Sequence, residues 1–262
     1  MSATRPLSFS WAVTTDKGLR RTSNEDSHCE RSDIGLFVVA DGMGGHVAGE
    51  VASREAVDAI QAFINDTASA DKNRTWPFPF EPGLSLEANR LKAAFRLANR
   101  RIASAIADSS ELRGMATTAS AILVGAASAC VAHVGDSRVY RLRAGRLEQL
   151  TCDHSWVEEQ VRAGTMSATA ARQHPWRNVV TRALSGGDDP EVDVTEVEPA
   201  TGDRYLLCSD GLFSVVADQQ IAEILGDQKR SLQEISGALI EAANAGGGPD
   251  NITALVLEVD AS

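Results

Sequence analysis

The sequence predicts an α+β fold, and three observations carry that prediction. Strand-like runs follow one another through residues 117–150, with connections too short for crossover helices, so those strands pair antiparallel. Two long helical patterns, at 50–64 and about 86–107, stand together ahead of them instead of alternating with them. Strands gathered into hairpins and helices gathered apart give layered α+β, not a doubly wound parallel sheet.

Taken in chain order, residues 34–40 (IGLFVVA) form a short apolar run, expected as a buried strand that stops at Asp41-Gly42. Residues 50–64 place Ala52, Ala56, Ile60 and Phe63 at helical spacing, and 86–107 place Leu91, Phe95, Ala98, Ile102 and Ile106 on one face. Between them, Trp76-Pro77-Phe78-Pro79-Phe80 has two prolines in five residues, which rules out a helix or a central strand. An ordered surface loop whose aromatics fold back onto the body is expected there. Strands follow at 117–124, 129–134, 139–143 and, after an Ala144-Gly145 turn, 146–150. Helices are expected at 155–163, 218–225 and 232–243, and strands at 204–209, ending at Asp210-Gly211, and 252–259.

The 262 residues suffice for one sizeable core, and 43% hydrophobic with 23% charged residues is the balance of a soluble globular protein. Lys plus Arg number 25 against 36 Asp plus Glu, a net charge of -11, which excludes a broad nucleic-acid footprint and disfavours an anionic membrane surface. Residues 1–18 lack the apolar core of a signal peptide, and no stretch approaches the roughly 20 apolar residues of a membrane span. A cytoplasmic chain without membrane insertion is expected. Cys29, Cys130, Cys152 and Cys208 form no CxxC pair and read as reduced thiols, not zinc ligands. The residues six positions after them are Gly35, Asp136, Glu158 and Ser214, which excludes a cysteine phosphatase needing an arginine there.

Two apolar runs end alike, VVADG at 38–42 and LLCSDG at 206–211. Asp250 precedes the last strand in Gly248-Pro249-Asp250-Asn251, and Asp136 lies between strands in Gly135-Asp136-Ser137-Arg138. A single Asp-Gly is most often just a turn. Several aspartates at the ends of buried strands are another matter, because they converge on one sheet edge and repel unless cations neutralise them. Oxygen ligands without His or Cys select hard cations. Two such ions side by side ionise a water near neutral pH, and that water can attack phosphorus. Glycine after each aspartate allows a tight turn or a close carbonyl. Arg21, in Arg21-Thr22-Ser23-Asn24-Glu25-Asp26, can hold two phosphate oxygens with its planar fork, and Glu25 and Asp26 can reach waters on the ions.

The ordered set RxxNED (21–26), ADGMGGH (40–46), GDSR (135–138), SDG (209–211) and GPDN (248–251) resembles the metal-dependent protein phosphatases of type 2C, and Gly42-Met43-Gly44-Gly45-His46 resembles their bacterial branch. The resemblance covers roughly residues 10–259 and implies a four-layer αββα sandwich of two antiparallel sheets flanked by helices. It implies one domain over 1–262, with a flap at about 151–185 whose His174 and Trp176 pack within it or touch substrate. His154 is expected to belong to the cap of the helix that follows it.

It further implies a serine/threonine phosphatase that uses manganese or magnesium, two core ions and a third. Asp41 would bridge the core ions, with the Gly42 carbonyl, Asp210 and Asp250 as ligands. Asp26 and Glu25 would act through water, Arg21 would bind phosphate, and Asp136 with Asp210 would hold the third ion. Met43 stands where animal members carry a histidine proposed as general acid, and His46 reads as loop support. The TWPF insertion (75–80) with 86–91 resembles phosphatases encoded with type VI secretion systems, which oppose a serine/threonine kinase and act on a forkhead-associated-domain protein. A catalytically dead binding module and an enzyme for small phosphoesters are the rival expectations. A monomer is expected.

Overall fold

Several strands here are buried on both faces, and that explains why they read as unbroken apolar runs instead of alternating ones. In the computed structural model, residues 8–44, 47–69, 75–125 and 128–260 are described. The chain runs β1 (Phe9–Asp16), β2 (Asp26–Arg31), β3 (Leu36–Met43), α1 (Ala48–Asp66), α2 (Leu86–Asp108), β4 (Ala116–Thr117), β5 (Ala119–Val124), β6 (Ala129–Val134), β7 (Arg138–Arg143) and β8 (Arg146–Gln149). It continues through α3 (Trp156–Arg162), α4 (Ala168–Gln173), β9 (Asp193–Val197), β10 (Arg204–Cys208), α5 (Asp210–Phe213), α6 (Asp218–Leu225), α7 (Leu232–Ala245) and β11 (Ile252–Val259).

The strands make two antiparallel sheets, ordered β1-β11-β10-β7-β8 and β2-β3-β5-β6-β9, with β4 added to β3. The side-chain period of two sorts the residues of each strand between layers. In β3, Leu36, Val38 and Ala40 pack under α1 and α2, while Phe37 and Val39 face the other sheet. In β11, Ile252, Ala254 and Val256 pack against α6 and α7, while Leu255, Leu257 and Val259 face inward between the sheets. Three apolar cores therefore separate four layers, helix, sheet, sheet and helix, as expected.

Local chemistry sets the helix ends. The Ser85 hydroxyl caps α2 by accepting from the Ala88 N–H at 3.1 Å, and Ser231 with Glu234 forms a capping box on α7. The aromatic loop folds back as anticipated: Phe78 is buried under Arg96 and Arg100, and Trp76 packs between Phe63 and Phe80.

Two expectations need correction. Strand β3 does not stop at Asp41 but runs through Gly42 to Met43, because β2 pairs with Asp41 and β4 with Gly42 and Met43. The run at 117–124 is two strands broken at Thr118, whose N–H and hydroxyl both bond the Asp41 backbone. Three edge strands, β1, β2 and β9, were not anticipated; nor were the short helices α4 and α5.

Candidate active site

The antiparallel register brings the expected aspartates to one end of both sheets. Asp26 opens β2 and lies directly across from Asp41 near the end of β3. Asp210 follows β10 as the first residue of α5, Asp250 precedes β11, and Asp136 lies in the turn between β6 and β7. Asp136 is buried, and the other four are half-buried as whole residues.

Close backbone approach, not turning, explains the two Asp-Gly pairs. A Cβ on Gly42 would lie 2.1 Å from the Gly49 carbonyl oxygen, and one on Gly211 would lie 2.0 Å from that of Asn251. Gly42 N–H donates to the Glu25 carbonyl at 3.2 Å, tying β3 to the segment before β2.

Asp26 is held on one side only. Its Oδ2 accepts from the Ser209 hydroxyl at 2.7 Å and the Thr253 hydroxyl at 2.6 Å, while its Oδ1 is buried without a hydrogen-bond partner. Asn251 stitches the far side together. Its Oδ1 accepts from Glu25 N–H at 2.8 Å, and its Nδ2 donates to the carbonyls of Lys17 at 3.0 Å and Ser23 at 2.8 Å. Asn251, Ser209 and Thr253 were not singled out beforehand. Their neighbours in SDG and GPDN were the available signal, since a buried polar residue beside a functional aspartate usually orients something.

Arg21, expected to bind phosphate, leans on Asp250. Its Nη2 donates to Asp250 Oδ2 at 2.7 Å, although 51% of the side chain remains exposed. Glu25 turns toward the start of α1, where a Cβ on Gly49 would strike its carboxylate. His154 is not a cap; Ser155 caps α3, while His154 is buried against the Asp136 turn. His174 packs over Trp156 and Trp176 meets Trp156 edge-on, and Trp176 stays exposed. His46 lies outside the described residues.

Electrostatically the cluster is a single unit. Burial pushes Asp41 well above the usual carboxylate range, and the charges of Asp26, Asp210, Asp136 and Asp250 push it further. Burial likewise raises Asp210, with Asp136, Asp250 and Asp26 adding to it. Asp26 is pushed up to about 6, by burial ahead of the opposing Thr253 and Ser209 hydrogen bonds, and Asp136 to about 6, by burial and then Asp153. Among the described residues no three Asp, Glu, His or Cys side chains stand at ligand spacing around one point. In chemistry the set fits a hard divalent cation: all donors are oxygen, and Asp26 Oδ1 is an orphaned buried acceptor beside Asp41.

A family model described as "Protein phosphatase 2C" matches residues 20–242. The chain belongs to the protein phosphatase 2C family. It is 41% identical over 253 residues to the serine/threonine protein phosphatase PstP of Mycobacterium tuberculosis, covering 97% of this chain and 45% of that protein. The chain thus spans under half the length of PstP. To the serine/threonine phosphatase stp of Listeria monocytogenes it is 38% identical over 252 residues, 94% of each. A crystal structure of the PstP catalytic domain in complex with two manganese ions superposes with a TM-score of 0.81 at 39% identity, covering 97% of this chain and all of that one. PppA, a regulatory component of the type VI secretion system in Pseudomonas aeruginosa, gives 0.79 at 30%, covering 97% of this chain and 99% of that one.

The raised carboxyls give the five-aspartate end of the sandwich a pH signature. In the folded chain Asp26 and Asp136 keep protons up to about pH 6, above the usual aspartate value. At these two carboxyls the folded state binds more protons than the unfolded one between roughly pH 4 and 6, so their contribution to stability falls as pH rises, while buried His133, pushed down to about 4, contributes in the opposite direction. In EDTA, the contribution of these carboxyls to the melting temperature is expected to fall by roughly 3 °C between pH 5.5 and 7.5. Asp26→Asn should flatten that slope. The same pH dependence in wild type and Asp26→Asn would contradict the raised Asp26 carboxyl. Differential scanning fluorimetry reads both.

Proposed function

We propose that this chain removes phosphate from serine and threonine side chains of proteins, using manganese or magnesium ions. The observation that carries the reading is the set Asp26, Asp41, Asp136, Asp210 and Asp250 gathered at one end of a type 2C phosphatase sandwich. The names of the relatives agree with it. In this reading Asp41, Asp210, Asp250 and the Gly42 carbonyl hold two ions, Asp26 and Glu25 support them through water, and Asp136 with Asp210 holds a third. When bound, the ions supply positive charge for the phosphoryl oxygens and acidify water to a nucleophile near neutral pH.

The chain's own residues do the rest. Arg21 anchors one edge of its guanidinium on Asp250 and offers the exposed remainder to the phosphate, which fixes the phosphorus relative to the carboxylates. Ser209 and Thr253 fix the Asp26 rotamer, and Asn251 fixes the 17–25 segment that carries Arg21 and Glu25. Met43 has no proton to give, so the leaving alkoxide takes its proton from water at the open face.

We further read residues 1–262 as one catalytic domain with a flap at about 151–185, acting as a cytoplasmic monomer. Among the described residues no helix is long and apolar enough to cross a membrane. The likeness to PppA supports a role with a type VI secretion system, and the resemblance of the TWPF stretch adds to it a role opposing a bacterial serine/threonine kinase, including one that phosphorylates a forkhead-associated-domain protein.

Phosphate release from a phosphothreonine peptide, measured with manganese and with EDTA, tests the reading against its rivals. Turnover with manganese that stops in EDTA is expected, with the peptide preferred over small phosphometabolites. Folded protein with no turnover would establish a binding module, and preference for metabolites would overturn the protein substrate. Arg21→Ala is expected to raise KM for the phosphopeptide about tenfold, the loss of one charge-assisted contact, with the manganese activation constant changed far less. Equal damage to both would mean that Arg21 acts by holding Asp250 and not by gripping phosphate.

A further inference from the structure

His154 is a buried side chain in the flap with every hydrogen-bonding group engaged, and its partners lie on three separate segments. Its Nδ1 accepts from Gly135 N–H at 3.1 Å, while its own N–H donates to the Gly135 carbonyl at 2.7 Å. Because Nδ1 accepts from an amide, the ring hydrogen is on Nε2, which donates to Asp193 Oδ2 at 3.1 Å at the start of β9. The His154 carbonyl accepts from Thr181 N–H at 2.8 Å on the returning limb of the flap, and Arg182 on that limb reaches Asp193 Oδ1 at 3.4 Å.

The other side of Asp136 is also held. Ser120 donates to the Ser137 carbonyl at 2.8 Å and lies 3.0 Å from His133 Nδ1, and the His133 and His154 rings stack at 4.7 Å. Gly135 has φ +111°, and a Cβ there would lie 2.4 Å from Thr118, so the turn has one tight seat.

We propose that His154 is a positioning residue that clamps the Asp136 turn to both limbs of the flap, so that the placement of Asp136 and of the flap are set together. This rests on the phosphatase reading above for its kinetic consequence, but not for the clamp itself. His154 makes no hydrogen bond to Asp26, Asp41, Asp136, Asp210 or Asp250. It acts through the Gly135 backbone, and Asp193 holds its tautomer.

Amide hydrogen exchange and steady-state kinetics on wild type, His154→Ala, His154→Gln and Asp193→Ala test it. Glutamine offers an acceptor and a donor about as far apart as the ring nitrogens. In His154→Ala, protection at residues 135–137 and at 179–182 should fall together by tenfold or more, with α1 and α2 unchanged. With phosphopeptide, kcat should fall at least tenfold while KM moves less than threefold, and His154→Gln should recover a large part. Asp193→Ala should show the same exchange pattern at smaller amplitude. In a cycle with Asp136→Ala, the two kcat losses should be strongly non-additive.

Unchanged protection at 135–137 in folded His154→Ala or Asp193→Ala would overturn the clamp, as would additive losses. If His154→Ala does not fold, the glutamine and Asp193 variants carry the same exchange test. If wild type shows no phosphatase turnover, that failure belongs to the functional reading, and the exchange result still decides the clamp.

Discussion

Asp210→Asn is expected to lower phosphopeptide turnover by about 10³-fold at any manganese concentration, a barrier increase of about 4 kcal/mol. Asn keeps the size and one carbonyl oxygen but removes the charge. Asp210 belongs to a field in which Asp136, Asp250 and Asp26 each raise its pKa after burial has done so, so its charge is costly to the empty fold. Removing it should leave the EDTA melting temperature equal or higher. The stabilisation gained on adding manganese should shrink or vanish, since that gain reports ion affinity through mass action. Calorimetric titration with manganese and a melting curve separate the effects. Near-normal kcat at saturating manganese would remove Asp210 from the site.

Gly42→Ala is expected to destabilise the fold by about 3 kcal/mol or more, because a methyl group would be pressed into backbone rather than into flexible side chains. Its Cβ would lie 2.1 Å from the Gly49 carbonyl oxygen and 2.6 Å from that of Glu25, so α1 or the segment before β2 has to move. Either movement displaces Asp41 and the Gly42 carbonyl, so activity should fall with stability. Gly237→Ala is the control. Gly237 lies within α7 with open space around its Cβ direction, and the change should stabilise by about 0.5–1 kcal/mol. Equal melting temperatures for Gly42→Ala and wild type would mean that Gly42 is dispensable.

What could be read from the sequence follows burial. Central strands such as β3, β6, β10 and β11 are enclosed on both faces, so their apolar runs were unmistakable, and β6 and β11 fell on the expected residues. The strands that went unread, β1, β2 and β9, are sheet edges whose outer faces carry polar residues and, in β1, an exposed Trp11. β8 is also an edge, yet it was found, because Ala144-Gly145 marks its hairpin. Helices α1, α2, α6 and α7 declared themselves through a long apolar stripe. Helices α4 and α5 are six and four residues long, too short to show a period.

The aspartates were legible as a set because five motifs recurred in family order. Their geometry was not. That Asp26 would face Asp41 depends on β2, an edge strand with little apolar signal. That Arg21 would lean on Asp250 joins residues 229 positions apart, a separation local patterns cannot span. The reason for Gly42 was half right: the close carbonyl is there, and the turn is not.

The most direct test of the central claim is a crystal of this protein soaked in manganese, with ions located by anomalous scattering. Two strong peaks are expected within ligand distance of Asp41, Asp210, Asp250 and the Gly42 carbonyl, with a further peak at Asp136. Ordered side chains at Asp41, Asp210 and Asp250 with no anomalous peak among them, in manganese that supports turnover, would contradict it.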